Sequence, residues 1–181
     1  MPERDELFFT KKNAWDTISE EDKSLIDTYC EGYKRFLDLA KTGREAVNEA
    51  VAMAEDKGFI PYERGMKLSA GVKIYKNVRG KALMLAVIGK APLQDGVNIA
   101  GAHVDSPRLD LKQIPLYEDS ELAFFKTHYY GGIKKYQWVT LPLSLHGMVT
   151  KKDGTCVDVV VGEDANDPIF LITDLLPHLD K

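Results

Sequence analysis

A histidine and an aspartate stand two residues apart in the segment NIAGAHVDSPRLDLK, residues 98–112, where an apolar run meets Pro107. Side chains at positions i and i+2 of an extended strand point to the same side, so we expect His103 and Asp105 to project together. The carboxyl end of a covered strand is where open α/β sheets gather their ligands. This pair is therefore the first candidate for a functional site.

Two kinds of chemistry would use the pair. In one, Asp105 holds one imidazole nitrogen of His103 and leaves the other nitrogen free to bind a metal ion. In the other, His103 is a general base oriented by Asp105, which requires a serine or cysteine nucleophile nearby. The adjacent Ser106 is poorly placed for this, because neighbouring side chains of an extended chain point to opposite sides. A hydrogen-bonded polar pair without a catalytic role is the structural alternative.

Two helices are predicted before the pair. Apolar side chains at helical spacing predict the first helix over residues 20–41, with Ser19 or Thr17 as its cap. The second helix follows Thr42, which forms a T-x-x-E capping box with Glu45, and Gly58 ends it.

Strands follow the helices. Segments 72–78 and 82–89 are joined by a turn at Arg79 and Gly80, and 97–104 is a further apolar run that leads into the pair. Continuous apolar runs are typical of strands covered on both faces, so the order of elements indicates a layered α/β core. After Lys112 short β-forming segments dominate, and a hairpin is predicted at Asp153-Gly154.

Composition excludes several classes of function. A net charge of −4 over 181 residues gives no electrostatic footprint for nucleic acid, and no apolar run reaches the roughly 20 residues that cross a bilayer. The acidic N-terminus is unlike a signal peptide, which favours a cytoplasmic location. Cys30 and Cys156 lack metal-type spacing and are expected to be small buried side chains. The apolar final segment, FLITDLLPHLDK, looks cut off.

Three segments together resemble the aminopeptidase I and aspartyl aminopeptidase family of zinc metallopeptidases: GAHVDSPRLDLK, YYGGIKKYQWVTLPLSLHGMV and DLLPHL. The resemblance covers essentially the whole chain. It implies a phosphorylase/hydrolase-like layered α/β catalytic core with an inserted, mainly β dimerisation domain. Residues 1–112 would be the N-terminal part of the catalytic domain, and residues 113–181 the beginning of the inserted domain.

The same resemblance implies roles for the candidate pair. His103 matches the first metal ligand, and Asp105 matches the catalytic acidic residue that orients it. The family resemblance implies two zinc ions, with manganese or cobalt as alternatives, and further ligands that include a bridging aspartate and a Glu-Glu pair. No Glu-Glu pair follows Glu21 here, so the chain is expected to be an N-terminal portion that is inactive alone.

The partners implied are a peptide substrate, with acidic N-terminal residues among those removed, and further copies of the chain that form dimers within a larger particle. Nucleic acid and membrane partners are not expected. One alternative is a non-catalytic assembly subunit or orphan fragment, and another is a metal hydrolase of different specificity on the same core.

The remaining polar candidates are given more modest roles. His128 and His146 are expected to be hydrogen-bonded core or interface residues. The resemblance places His178 near the substrate pocket of a partner subunit, and Asp174 lies closer to where some members have a pocket histidine. Arg108 is expected to form a surface or interface salt bridge. The aromatic residues of YYGGIKKYQW, which include Tyr129, Tyr130, Tyr136 and Trp138, favour a β interface over a nucleic-acid surface.

Overall fold

The structure, a computed structural model, describes residues 8–9 and 11–175. It divides into two units, one ending at Leu39 and the other beginning at Ala40. No helix among the described residues is long and apolar enough to cross a membrane.

The first unit consists mainly of helix α1, Glu20–Leu39, after a short 3-10 helix at Ala14–Asp16. Ser19 caps α1, since its hydroxyl oxygen accepts the backbone N–H of Asp22 at 3.0 Å. Both the predicted helix and one of its two predicted caps are therefore confirmed. The helix ends two residues before the predicted Lys41.

Helix α2, Gly43–Asp56, opens the second unit with the predicted capping box. The Thr42 hydroxyl accepts the Glu45 N–H at 3.3 Å, and the Glu45 carboxylate accepts the Thr42 N–H at 2.7 Å. The apolar stripe of α2 packs against two strands that follow it and supplies the buried side chains Ala46, Val47 and Ala54. The capping box thus sets where this helix begins, and the spacing of its apolar residues sets which face it buries.

The sheet beneath α2 has three strands: β1 (Ile60–Pro61), β2 (Lys73–Val78) and β3 (Ala82–Val87). β1 pairs with β2 in parallel, and β2 pairs with β3 in antiparallel register from Lys73–Val87 to Val78–Ala82. The turn predicted at Arg79 and Gly80 joins β2 to β3. The two residues have φ angles of 58° and 64°. The combination of helix and sheet agrees with the predicted α/β class.

Two predictions about the strands were wrong. Residues 97–104 form no strand, because no described segment offers them a hydrogen-bonding partner, and Ile99 is 85% exposed. Coverage of both sheet faces is also not observed among the described residues, since Met84, Leu85 and Val87 of β3 remain exposed. Apolar runs reveal a tendency to be buried, but burial itself depends on which other segments are present.

The rest of the described chain, through residue 175, contains strands and no α-helix, in agreement with the predicted β character. A long hairpin joins β4 (Arg108–Asp119) to β5 (Leu122–Tyr130), with a bulge between Leu111 and Leu116. A second hairpin joins β6 (Leu145–Thr150) to β7 (Cys156–Val161), and its turn contains the predicted Asp153-Gly154. Strand β4 continues through Lys112, where the sequence places a domain boundary. That boundary and the inserted dimerisation domain stay predictions.

Both cysteines are free, but they are exposed rather than buried as predicted. Cys30 lies on α1 and Cys156 begins β7 at the edge of its hairpin. A small apolar side chain is tolerated at either position without being enclosed, so their residue type alone did not decide their burial.

Candidate functional site

The structure brings His103 and Asp105 into contact. The Nδ1 atom of His103 lies 2.6 Å from the backbone carbonyl oxygen of Asp105 and 3.2 Å from its carboxylate oxygen Oδ1. Because a carbonyl oxygen only accepts hydrogen bonds, Nδ1 carries the proton in this arrangement. The Nε2 atom then keeps its lone pair, on a side chain that is 81% exposed.

This arrangement corresponds to one of the two chemical alternatives. A metal-binding histidine commonly donates its other ring N–H to a carbonyl or carboxylate, which fixes the tautomer and the ring orientation. The general-base alternative needs a nucleophile, and the described residues show no hydroxyl or thiol hydrogen-bonded to His103. The geometry therefore favours a metal ligand at His103, oriented by Asp105.

Tyr130, the last residue of β5, is a further partner of Asp105. The Tyr130 hydroxyl, a donor group, is the largest of the influences that hold the pKa of Asp105 below its ordinary value of 3.8. The bond to the Asp105 backbone and the contact with His103 act in the same direction. The same carboxylate raises the pKa of Tyr130. Asp105 is thus kept ionised by neighbours on two sides.

Arg108 forms the salt bridge that was predicted for it. Its Nε atom donates to Oδ1 of Asp110 at 2.7 Å, and a terminal nitrogen donates to Oδ2 at 3.4 Å. The neighbouring Pro107 lies close to Gly131, which belongs to the Tyr-Gly-Gly segment at residues 130–132. A Cβ atom at Gly131 would lie only 3.4 Å from the proline ring. Gly131 also has a φ of 78°, a backbone conformation that glycine adopts readily. A glycine at this position therefore allows both the backbone conformation and the close approach to Pro107.

A cleft of about 810 Å³ opens beside Asp105. Its walls come from the start of α2, the Asp105 segment, the β4–β5 pair and the β6–β7 hairpin, and they include Thr42, Glu45, Asp105, Tyr130, Met148 and Asp158. The cleft is large enough for a small peptide or a similar ligand. Sequence reasoning did not find it, because its walls are far apart along the chain.

His146 is hydrogen-bonded, as predicted, and its surroundings are more specific than a core position. Its Nδ1 atom lies 2.7 Å from Oε1 of Glu45, and its Nε2 atom lies 2.9 Å from Oε1 of Glu163 and 3.0 Å from the Ser144 hydroxyl. Sequence reasoning missed this cluster, since Glu45 is 101 positions away. The capping box was the only signal at Glu45, and it pointed to the helix.

The hydrogen bonds of Ser144, His146 and Glu45 are not those of a catalytic triad. The Ser144 hydroxyl donates to Glu163 at 2.7 Å, so its proton is directed away from the imidazole. Burial lowers the pKa of His146, but the hydrogen bonds to Glu45 and Glu163 outweigh it and raise the pKa above its ordinary value of 6.5. An imidazolium that donates from both nitrogens cannot accept a proton from serine.

Two further candidates among the described residues, His128 and Asp174, make no contact with His103 or Asp105. His128 is exposed on β5 and stacks on Tyr129 with ring centres 5.3 Å apart, so it is not a core residue. Asp174 accepts the backbone N–H of the next residue, Leu175, at 2.7 Å. His178 lies outside the described residues.

Comparison with known proteins settles the family. The family model described as "Aminopeptidase I zinc metalloprotease (M18)" matches residues 36–181, which is most of the chain. The chain belongs to the M18 aminopeptidase I family. The resemblance that the sequence blocks carry is therefore confirmed.

Two curated M18 relatives align with nearly all of this chain but with little more than a third of their own length. The "Probable M18 family aminopeptidase 1" of Clostridium acetobutylicum is 55% identical over 174 residues, which cover 93% of this chain and 37% of the relative. The Thermotoga maritima protein of the same name is 43% identical over 171 residues, which cover 94% of this chain and 37% of the relative. The chain thus spans about 37% of the length of these M18 relatives.

Solved M18 structures share the fold. Aminopeptidase I from Borrelia burgdorferi B31 matches with a TM-score of 0.84 at 45% identity, over 92% of this chain and 41% of that one. The M18 aminopeptidase from Thermotoga maritima matches with a TM-score of 0.82 at 42% identity, over 96% of this chain and 38% of that one. The chain therefore shares the fold of these M18 structures.

The M18 family is a family of zinc metalloproteases, so the donor groups of the described residues bear on whether they can hold zinc. Zinc takes about four nitrogen, oxygen or sulfur ligands. Among residues 8–9 and 11–175, no group of three or more His, Cys, Asp and Glu side chains could hold a metal ion. His103 fits as one ligand with its orienting carboxylate, and the described residues do not form a complete site.

Proposed function

We propose that this chain contributes His103 and Asp105 to the zinc site of an aminopeptidase that removes N-terminal residues from peptides. The observation that carries the proposal is the contact of His103 Nδ1 with the carbonyl and carboxylate oxygens of Asp105, which leaves Nε2 available. Membership of a family described as zinc metalloproteases supports it. The whole protein's activity is part of the proposal, because the chain spans about 37% of its relatives' length.

Three residues of this chain, His103, Asp105 and Tyr130, have defined parts in the proposed mechanism. His103 would bind one of two zinc-type ions through Nε2, and Asp105 would keep the ring in that tautomer. When bound, such ions supply an activated water and polarise the scissile carbonyl. Tyr130 holds the Asp105 carboxylate in its ionised form, which preserves its ability to accept from Nδ1. The remaining ligands would come from a region that corresponds to the unmatched part of the relatives.

The peptide would enter the cleft beside Asp105. With a volume of about 810 Å³, the cleft has room for the first residues of a peptide, and Asp105, Arg108 and Tyr130 border it. Removal of acidic N-terminal residues, assembly of dimers into a larger particle and a cytoplasmic location belong to the same proposal. These three parts of the proposal are supported by the resemblance of the three sequence segments to the aminopeptidase I and aspartyl aminopeptidase family.

The first experiment measures the intact mass, zinc content and aminopeptidase activity of the protein purified from its source, before and after chelation. We expect a mass well above the 20.3 kDa of this chain and activity that chelation removes and zinc restores. His103→Ala should lower activity at least about 100-fold and reduce bound zinc, since a direct ligand matters more than its supporting partners. His128→Ala is the matched control, because His128 is an exposed histidine of β5 outside the site. Unchanged zinc content in His103→Ala would contradict the proposal.

A non-catalytic assembly subunit is the second candidate. The absence of a complete metal-ligand cluster among the described residues favours it for this chain taken alone. A purified protein of 20.3 kDa that lacks activity but forms oligomers would support this candidate and refute the first. Profiling of acidic, neutral and basic N-terminal residues would separate an aminopeptidase from a metal hydrolase of different specificity.

A further inference from the structure

His146 lies between two carboxylates that come from different parts of the second unit. Glu45 belongs to the first turn of α2, and Glu163 follows the end of β7. The His146 side chain is only 11% exposed, and its two ring nitrogens lie 2.7 Å and 2.9 Å from the two carboxylates. A single imidazole therefore joins the helix to the β6–β7 hairpin.

The charged groups around the imidazole decide its protonation state. From α2 the facing group is Glu45, and from the segment after β7 it is Glu163, with the uncharged Ser144 next to Nε2. The positive charge of Lys41, before α2, acts on Glu163. Burial favours neutral imidazole, but the hydrogen bonds and negative charges of the two glutamates prevail and raise the pKa of His146.

Loss of the proton would break one of the two links. A neutral imidazole has one N–H donor and one lone pair, so it can donate to Glu45 or to Glu163 but not to both. The other carboxylate would then face the lone pair of a ring nitrogen at less than 3 Å, which is repulsive. Glu45 also accepts the Thr42 N–H through its second oxygen, so this carboxylate is fixed to the helix start.

Both elements joined by His146 line the cleft. Thr42, Glu45 and Asn48 line it from α2, whereas Gly147, Met148 and Asp158 line it from the hairpin. Helix α2 packs against β2 and β3, and the hairpin strands pair with each other. A link at His146 therefore bears directly on the separation of these walls.

We propose that His146 is a pH-sensitive latch that closes helix α2 against the β6–β7 hairpin and so sets the width of the cleft beside Asp105. The latch is closed while His146 is protonated and both glutamates are ionised. It weakens when the imidazole loses its proton, because the single remaining N–H is then shared between Glu163, which follows the hairpin, and Glu45 of α2. This device goes beyond the proposed aminopeptidase activity and does not require it.

The latch is tested by a distance measurement in the full chain. Nitroxide labels are placed on cysteines introduced at the exposed positions Ala52 of α2 and Lys152 of the hairpin turn, after Cys30 and Cys156 have been replaced by serine. Double electron–electron resonance is recorded at about pH 5.5 and about pH 9.5, which bracket the titration of histidine. We expect one narrow distance population at the lower pH. At the higher pH at least about half of it should move to longer or broader distances.

Variants assign the response to His146. His146→Gln, which has no charge at either pH, should give the same distances at both values, and His128→Gln should respond like the parent protein. Identical distributions of the parent protein at the two pH values would overturn the proposal, and this comparison needs no variant to fold. Loss of the response in His128→Gln would overturn it as well.

Discussion

Arg108 and Tyr130 lie directly opposite each other on β4 and β5, and the guanidinium carbon of Arg108 is 4.1 Å from the centre of the Tyr130 ring. At this distance the cation is attracted to the face of the ring. Arg108 is itself held by its ion pair with Asp110. The ring of Tyr130 is thus fixed at the end of the hairpin, where its hydroxyl reaches Asp105.

Replacement of Tyr130 by phenylalanine should raise the pKa of Asp105 toward its ordinary value of 3.8. The hydroxyl stabilises the charged carboxylate, and phenylalanine removes the hydroxyl while it keeps the ring under Arg108. The carboxyl carbon of Asp105 can be followed by NMR during a pH titration. Tyr129→Phe is the matched control and should leave the pKa unchanged. The same Asp105 titration in Tyr130→Phe and the parent would show that this hydroxyl does not act on the carboxylate.

The elements that depend on neighbours in sequence were predictable. The capping box of Thr42 and Glu45 fixes the start of α2 because all of its groups lie within one helical turn. The turns at Arg79-Gly80 and Asp153-Gly154 likewise follow from their glycines, which adopt positive φ of 64° at Gly80 and 87° at Gly154. The contact of His103 with Asp105 was predicted too, although the segment that carries the two residues is not a strand.

The features that depend on distant pairing were not predictable. Residues 97–104 read as a strand because they are apolar, but a strand also needs a partner, which no described segment provides. The contacts of Asp105 with Tyr130 and of Glu45 with His146 depend on the hairpins that bring Tyr130 and His146 into place. No spacing rule connects residues 101 positions apart.

The free energy of unfolding should fall as the pH rises through the folded-state pKa of His146. Because this pKa lies above the ordinary value of 6.5, the protonated imidazole stabilises the fold fully below pH 6.5 and less above its folded-state pKa. The pKa values of Glu45 and Glu163 lie below 4.5, so their contribution is lost only when the pH falls through those lower values. Urea unfolding at a series of pH values measures both slopes. A His146→Gln protein that kept the alkaline slope would contradict this assignment.

Thr42→Ala should lower the free energy of unfolding of the second unit by about 1 kcal/mol. The substitution removes the side-chain oxygen that accepts the Glu45 N–H, and this donor has no partner within the helix. Denaturant unfolding followed by circular dichroism measures the change. Thr42→Ser keeps a hydroxyl at the same position and should remain close to the parent. Equal losses in the two variants would mean that the methyl group, not the cap, is responsible.

Gly162→Ala should destabilise the protein more than Gly154→Ala. Both glycines have positive φ, 105° and 87°, so alanine is strained by about 1–3 kcal/mol at either position. At Gly162 the new Cβ would also lie 3.1 Å from the Ser144 Cα and 3.3 Å from the Pro168 carbonyl oxygen, whereas nothing lies within 4 Å at Gly154. Since these neighbours are backbone atoms, they cannot move aside without shifting the chain that carries Ser144 and Glu163. The difference between the two variants in urea unfolding measures this steric part, and a Gly162→Ala protein as stable as Gly154→Ala would show that the segment can shift without cost.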